Sequence, residues 1–131
     1  MYSYSDYVPS SPSRPIKLVI PQLDPNKSQK DYNECEKMIA GLPYFANIEE
    51  LLNGRLFAKV MCHKLNTLSP IEPKEPILKD LLGTFSFNCY IEPPFYCDYG
   101  SNIHLGKGVY MNHNCCILDV CEVNIGDRYI S

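Results

Sequence analysis

Residues 103–126 read IHLGKGVYMNHNCCILDVCEVNIG, and their spacing decides the fold. Leu105, Met111 and Ile117 recur every six residues, and Ile103, Val109, Cys115 and Cys121 repeat the same step two places earlier. The pair Leu105-Gly106 returns as Ile125-Gly126 after twenty residues. Six residues make one flat face of a coil, with an aliphatic side chain pointing inward and a small residue allowing the corner. Three such faces close one turn of a parallel β-helix. A turn of three hexapeptides needs eighteen residues, so the twenty-residue offset predicts a two-residue insertion between Ile117 and Ile125. The spacing alone leaves open an ordinary hairpin domain with a chance six-residue period.

Upstream the pattern changes. Residues 31–41, DYNECEKMIAG, have Asp31 as candidate helix cap, Glu34 three places later in the style of a capping box, and Gly41 as stop. A longer helix follows in NIEELLNGRLFAKVMCHKLN, with Asn47 as expected cap and Glu49 and Glu50 at the positive end of the helix dipole. Ile48, Leu51, Leu52, Leu56, Val60 and Leu65 define the expected buried stripe. Gly54 inside it costs about 1 kcal/mol relative to alanine. A third short helix is predicted over residues 73–82. Residues 1–30 carry serine and proline without periodicity and read as a flexible tail, within which residues 16–20 form an apolar patch able to dock as a strand. The expected organisation is a tail (1–30), a helical segment (31–86) and the start of a β-helix (87–131), an α+β chain.

Composition excludes several functions. The chain has 131 residues, 45% hydrophobic and 21% charged, with a net charge of −3, so nothing draws it to nucleic acid or an anionic membrane. Its seven cysteines contain no C-x-x-C and no zinc-type Cys/His spacing, so no metal is expected. They read as reduced, mostly buried, small apolar residues of a soluble cytoplasmic protein. Phosphate-loop, nucleophile-elbow and H-E-x-x-H motifs are absent from the 131 residues.

LPYFANIEELLNGRLFAKVMCHKLNTLSP, then IEPPFYCDYGSNIHLG, VYMNHNCCILDV and VNIGD, carry more than periodicity. Together they resemble the maltose and galactoside O-acetyltransferase family over residues 34–127. The resemblance implies a helical N-terminal domain followed by a left-handed β-helix of hexapeptide repeats, working as a trimer with sites between adjacent β-helices. It implies transfer of an acetyl group from acetyl-CoA to a sugar hydroxyl, with a histidine as general base.

By the same resemblance, Asp98 stands where a polar side chain grips the acceptor, and a carboxylate there can accept two sugar hydroxyls. Asn112 matches the asparagine that contacts both acceptor and acetyl donor, where an amide can support developing charge. Tyr96 is a candidate sugar-stacking or packing ring. Ala46-Asn47 and Val120 depart from acidic acceptor contacts of the family, which puts the identity of the sugar in doubt. The family's catalytic histidine belongs to a threonine-rich His-Pro segment expected beyond Ser131, one further coil along. No catalytic residue is therefore assigned, and the chain reads as C-terminally truncated and inactive alone. His104 is expected to point outward, His113 to form a rim ring and His63 to sit near a helix end. The alternative expectation is a non-catalytic paralogue acting as an interaction or regulatory subunit, or an incomplete reading of a longer gene.

Overall fold

The computed structural model describes residues 14–131. Three helices come first: α1 (Glu34–Ile39), α2 (Glu49–Asn66) and α3 (Glu75–Leu81). Six strands of two or three residues follow: β1 (Tyr90–Ile91), β2 (Phe95–Cys97), β3 (Ile103–Leu105), β4 (Tyr110–Met111), β5 (Cys115–Ile117) and β6 (Val123–Ile125). The chain is α+β in that order.

Each strand pairs in parallel with the strand three along, and every register step is twenty residues. Tyr90 lies beside Tyr110, Phe95 beside Cys115, and Ile103 beside Val123. Single bridges from Thr84 to His104 and from Tyr110 to Ile130 continue the same step at both ends. Three two-stranded sheets related by one constant step are the faces of a coil, and the hairpin alternative is excluded. The two-residue insertion lies where the spacing placed it, between Ile117 and Ile125. A matching one, missed in the sequence, lies between Cys97 and Leu105, at the corner joining β2 to β3. Cys121 falls inside the later insertion and leaves the inward series. Val123 takes the inward register position instead, while the Cys121 thiol donates to the Met38 carbonyl at 3.3 Å.

The helices close the first coil. Ala58, Met61 and Leu65 of α2 and Leu78 and Leu81 of α3 pack on the inward residues Ile91, Phe95, Ile103 and Leu105. Those four inward residues are almost wholly buried, whereas Cys115, Ile117 and Ile125 of the next coil are only half-buried. Asn66 bolts the layers together. Its side-chain NH2 donates to the Phe95 carbonyl at 3.0 Å, and its oxygen accepts the Phe95 N–H at 2.9 Å, so one amide imitates a strand neighbour.

Several local expectations are corrected. Asp31 lies in a short 3-10 turn, and the capping box belongs to Asn33 and Glu36, each side chain accepting the other's backbone N–H. Leu42 and Gly41 then donate to the Lys37 and Met38 carbonyls, which ends α1 in a Schellman turn. Asn47 does not cap α2, whose cap position is Ile48; its side chain turns to Arg55. The buried stripe of α2 runs through Leu51, Gly54, Ala58, Met61, Cys62 and Leu65, whereas Leu52, Leu56 and Val60 are only half-buried. Gly54 has a packing reason: a Cβ there would stand 3.0 Å from the Leu18 Cβ and 3.1 Å from the Tyr99 ring.

The expected tail also divides. Residues 1–13 lie outside the described residues, but the segment after them docks on α2 without forming a strand. Leu18 is buried with Leu51 and Tyr99, the Ile16 N–H donates to the Asn53 carbonyl, and Lys17 Nζ donates to the Leu82 carbonyl. Burial of Leu18 offsets the entropy of ordering this arm, which serine and proline content alone did not reveal. Among the described residues no helix is long and apolar enough to cross a membrane.

Candidate acceptor site at the β2–β3 corner

The corner between β2 and β3 is residues 98–102, DYGSN, and it is tied down from the next coil. Asp119 is wholly buried, and one of its carboxylate oxygens accepts the backbone N–H groups of Asp98 at 3.0 Å and Tyr99 at 2.9 Å. Its other oxygen accepts the Asn102 N–H at 3.3 Å, while the Asn102 amide donates to the Asp119 carbonyl at 2.6 Å. One carboxylate thus holds three donors of an irregular loop that has no sheet partner. Burial raises the Asp119 pKa above the ordinary aspartate value, and these backbone N–H groups oppose the shift.

Gly100 turns the corner at φ +78°, beside Leu81 of α3. This conformation aims Tyr99 inward and leaves the Asp98 side chain half-buried. The Tyr99 hydroxyl accepts from Arg55 Nη1 at 2.7 Å, and the guanidinium stands 5.8 Å from the ring centroid. Arg55 Nη2 donates to Asn47 at 3.2 Å. The tyrosine's pKa is pushed up to about 12 by burial, in spite of the guanidinium. Burial also raises the Asp98 pKa, and the Arg55 charge pulls it back toward the ionised form. Tyr44 feels the fields of both Arg55 and Asp98. The corner therefore presents a partly desolvated carboxylate, a cation held by two neutral partners and a tyrosine, a set able to bond several hydroxyls of one polyol.

The other expected site residues lie elsewhere. Asn112 is exposed at the corner after β4, where its side-chain oxygen accepts the His113 N–H at 2.9 Å. Asp98 follows β2 and Asn112 precedes β5, so the two sit at opposite ends of one sheet. The three strand residues between them span about 10 Å. A single chain does not bring them together. Tyr96 points outward from β2 and lines a cavity of about 320 Å³ against the C-terminal half of α2, with Lys59, His63 and Asn66. His104 is engaged on both ring nitrogens, with Thr84 Oγ1 at 2.8 Å and Glu122 Oε1 at 3.2 Å. His113 and His63 are exposed.

Ser131, beyond which the resemblance puts the catalytic histidine, is a rung of the coil. Its N–H donates to the Tyr110 carbonyl at 3.0 Å, and its carbonyl accepts the Asn112 N–H at 3.1 Å, which carries the parallel pairing past β4. Its hydroxyl is exposed and stands 3.8 Å from the Cys115 sulfur. No group of three or more His, Cys, Asp or Glu able to hold a metal occurs among the described residues.

The sequence reading singled out Asp98 but not the contacts that surround it, those of Arg55, Asn47, Tyr99 and Asp119. Arg55 and Tyr99 are 44 residues apart, and no local spacing signals their contact. The doubled insertion did offer a clue to Asp119, since it marks the two corners that must be pinned to each other.

Comparison with known proteins agrees with this architecture. Residues 37–86 match the family described as the maltose acetyltransferase hexapeptide capping motif. The chain is 36% identical to the galactoside O-acetyltransferase of Escherichia coli over 97 residues, covering 72% of this chain and 48% of that protein. It is similar to a solved maltose O-acetyltransferase from Clostridium difficile 630, with a TM-score of 0.73, 36% identity, and coverage of 76% of this chain and 54% of the other. A galactoside acetyltransferase solved in complex with coenzyme A gives a TM-score of 0.69 at 35% identity, covering 73% and 49% of the two chains. The chain spans about half the length of the curated relatives it matches.

Proposed function

From the premise that this chain belongs to the maltose and galactoside O-acetyltransferase family of hexapeptide-repeat proteins, we propose that its β2–β3 corner is the acceptor side of an acetyl-CoA-dependent sugar O-acetyltransferase site. The observation that carries the reading is the Asp98 carboxylate, half-buried on a pinned corner within the field of Arg55. Asp98 accepts hydroxyl hydrogen bonds from the sugar, while the Tyr99-bound guanidinium opposes the burial that favours its neutral form. The coil turns left-handed, as the resemblance implies, and three copies stand side by side. The separation of Asp98 from Asn112 supports a site shared between two copies, in which the Asn112 amide of one faces the acceptor gripped by the other. Asn112 then bonds the reacting hydroxyl or the thioester carbonyl, stabilising the charge that develops on oxygen. Tyr96 serves packing over the α2 cavity rather than stacking on sugar.

The general base that takes the hydroxyl proton is a histidine of the family's His-Pro segment, to which none of His63, His104 and His113 belongs. The engagement of His104 by Thr84 and Glu122 and the peripheral places of His63 and His113 support that assignment. Attack of the deprotonated oxygen on the thioester carbonyl would release coenzyme A thiol and leave an acetylated sugar.

The test is twofold. Maltose, glucose and a galactoside, titrated against the isotopically labelled chain, should shift the amide signals of residues 98–102 and the Arg55 side chain. The same chain given acetyl-CoA and these sugars should release no thiol above the acetyl-CoA blank. Thiol release abolished by Asn112→Ala would overturn the placement of the base. Unmoved corner signals at saturating sugar would overturn the acceptor assignment, and co-purification of the inactive chain with a longer relative would then favour an interaction subunit.

A further inference from the structure

Beyond the acceptor corner, Cys62 on α2 and Cys97 at the end of β2 place their sulfur atoms 3.9 Å apart. Among the described residues this is the one pair of thiols in hydrogen-bonding contact, and all seven cysteines are free. Both thiols line the 320 Å³ cavity under Tyr96, which Lys59 and His63 also border. The sulfurs are held near each other by backbone that cannot drift, because Asn66, one turn beyond Cys62, makes two hydrogen bonds to Phe95, two residues before Cys97. Either thiol can donate in this contact; with Cys97 as donor the thiolate of Cys62 is favoured, while the contact and burial disfavour that of Cys97.

We propose that Cys62 and Cys97 are a modification site: a dithiol that takes small disulfides and closes to an intrachain bond joining α2 to β2. The Cys62 thiolate attacks one sulfur of a small disulfide such as oxidised glutathione, whose other half leaves as a thiolate. Cys97, giving up its proton to solvent, then attacks the Cys62 sulfur of the mixed disulfide and expels the second half. The two protein thiols lose two electrons and two protons in all, and the small disulfide is reduced to two thiols. Closing the bond needs an approach of about 2 Å, from the observed contact to an S–S length near 2 Å. Of the other thiols, Cys35 is buried among apolar side chains and burial raises its pKa to about 11, Cys89 donates to the Gly106 carbonyl, Cys115 faces the Ser131 hydroxyl, Cys121 donates to the Met38 carbonyl, and Cys116 is exposed. This chemistry is independent of what Asp98 binds. Because Cys97 adjoins Asp98, the closed bond also tethers the acceptor corner to the helical layer, a consequence that rests on the reading proposed above.

The experiment equilibrates the reduced full chain with oxidised glutathione, blocks residual thiols with an alkylating agent, and maps the digest without reduction. The expected result is a Cys62 peptide joined to a Cys97 peptide, two hydrogens lighter than their sum, while Cys116 carries glutathione instead. The linked chain should unfold at a higher urea concentration than the reduced chain, and Cys97→Ser should abolish both the link and the gain. The proposal is overturned if Cys62 and Cys97 are recovered alkylated, or separately glutathionylated, under conditions that modify Cys116. It is equally overturned if the same link forms as readily in urea-unfolded protein.

Discussion

Asp119 does a backbone's work with a side chain. Three N–H groups of residues 98–102, a stretch that forms no strand, converge on its carboxylate. Asp119→Ala should lower stability by about 3 kcal/mol or more, since each buried donor left unpaired costs about 1–3 kcal/mol. Chemical denaturation measures it, and Asp119→Asn should fall between, because its amide nitrogen sets a donor against a donor. Asp98 has the opposite character. Its pKa is raised by burial, so the charged form costs stability above the folded pKa, and the cost vanishes below the unfolded value. Asp98→Asn should therefore be more stable than the parent at neutral pH, by no more than about 1 kcal/mol because the carboxyl is partly in water and screened. The gap should close as pH falls through the folded pKa toward the ordinary aspartate value, which melting curves at several pH values would read. At this scale Asp98 and Tyr99 both stand in the motif YCDYGSN, whereas the contact of Tyr99 with Arg55 was not visible there. A contact between residues 44 positions apart leaves no trace in local spacing.

Helix α2 explains why its own reading went astray. A helix with one partner shows one apolar stripe, but α2 packs on two bodies. Near its start Leu51 and Gly54 meet Leu18 and Tyr99, and farther along Ala58, Met61 and Leu65 meet the coil. The buried line therefore drifts around the helix, and small or polar residues such as Gly54 and Asn53 lie on it. The hydrophobic periodicity that selected Leu52, Leu56 and Val60 assumed a single partner. The strands were legible for the converse reason, since each inward position meets one neighbouring strand at a fixed step. The joint between helix and coil rests on Asn66. Asn66→Ala should cost about 2 kcal/mol, leaving both backbone groups of Phe95 unpaired where water enters poorly. Hydrogen exchange should quicken at the Phe95 amide before it does in β3.

At the scale of the molecule, α2 belongs to both apolar clusters, so the docked arm, the helices and the first coil share one element. Loss of Leu18 packing and loss of Leu105 packing should accordingly shift the same unfolding transition rather than separate ones. The capping of a coil by helices was foreshadowed by the family resemblance and by the change of period after Phe85. The docking of residues 14–20 was foreshadowed by the apolar patch at 16–20 but not its form, because one buried leucine rather than a strand makes the contact.

The constant twenty-residue register also dictates which genetic changes this segment can survive. Substituting a codon in β3–β6 alters one side chain, but adding or deleting one codon within a strand inverts every inward and outward position up to the next corner. Only the corners 98–102 and 118–122, already two residues longer than a hexapeptide, have slack to absorb it. A library of single-codon insertions across residues 88–126, sorted by a folding reporter, should yield survivors concentrated at those two corners and few within strands. Survivors spread evenly along the segment would mean that register is not what holds it.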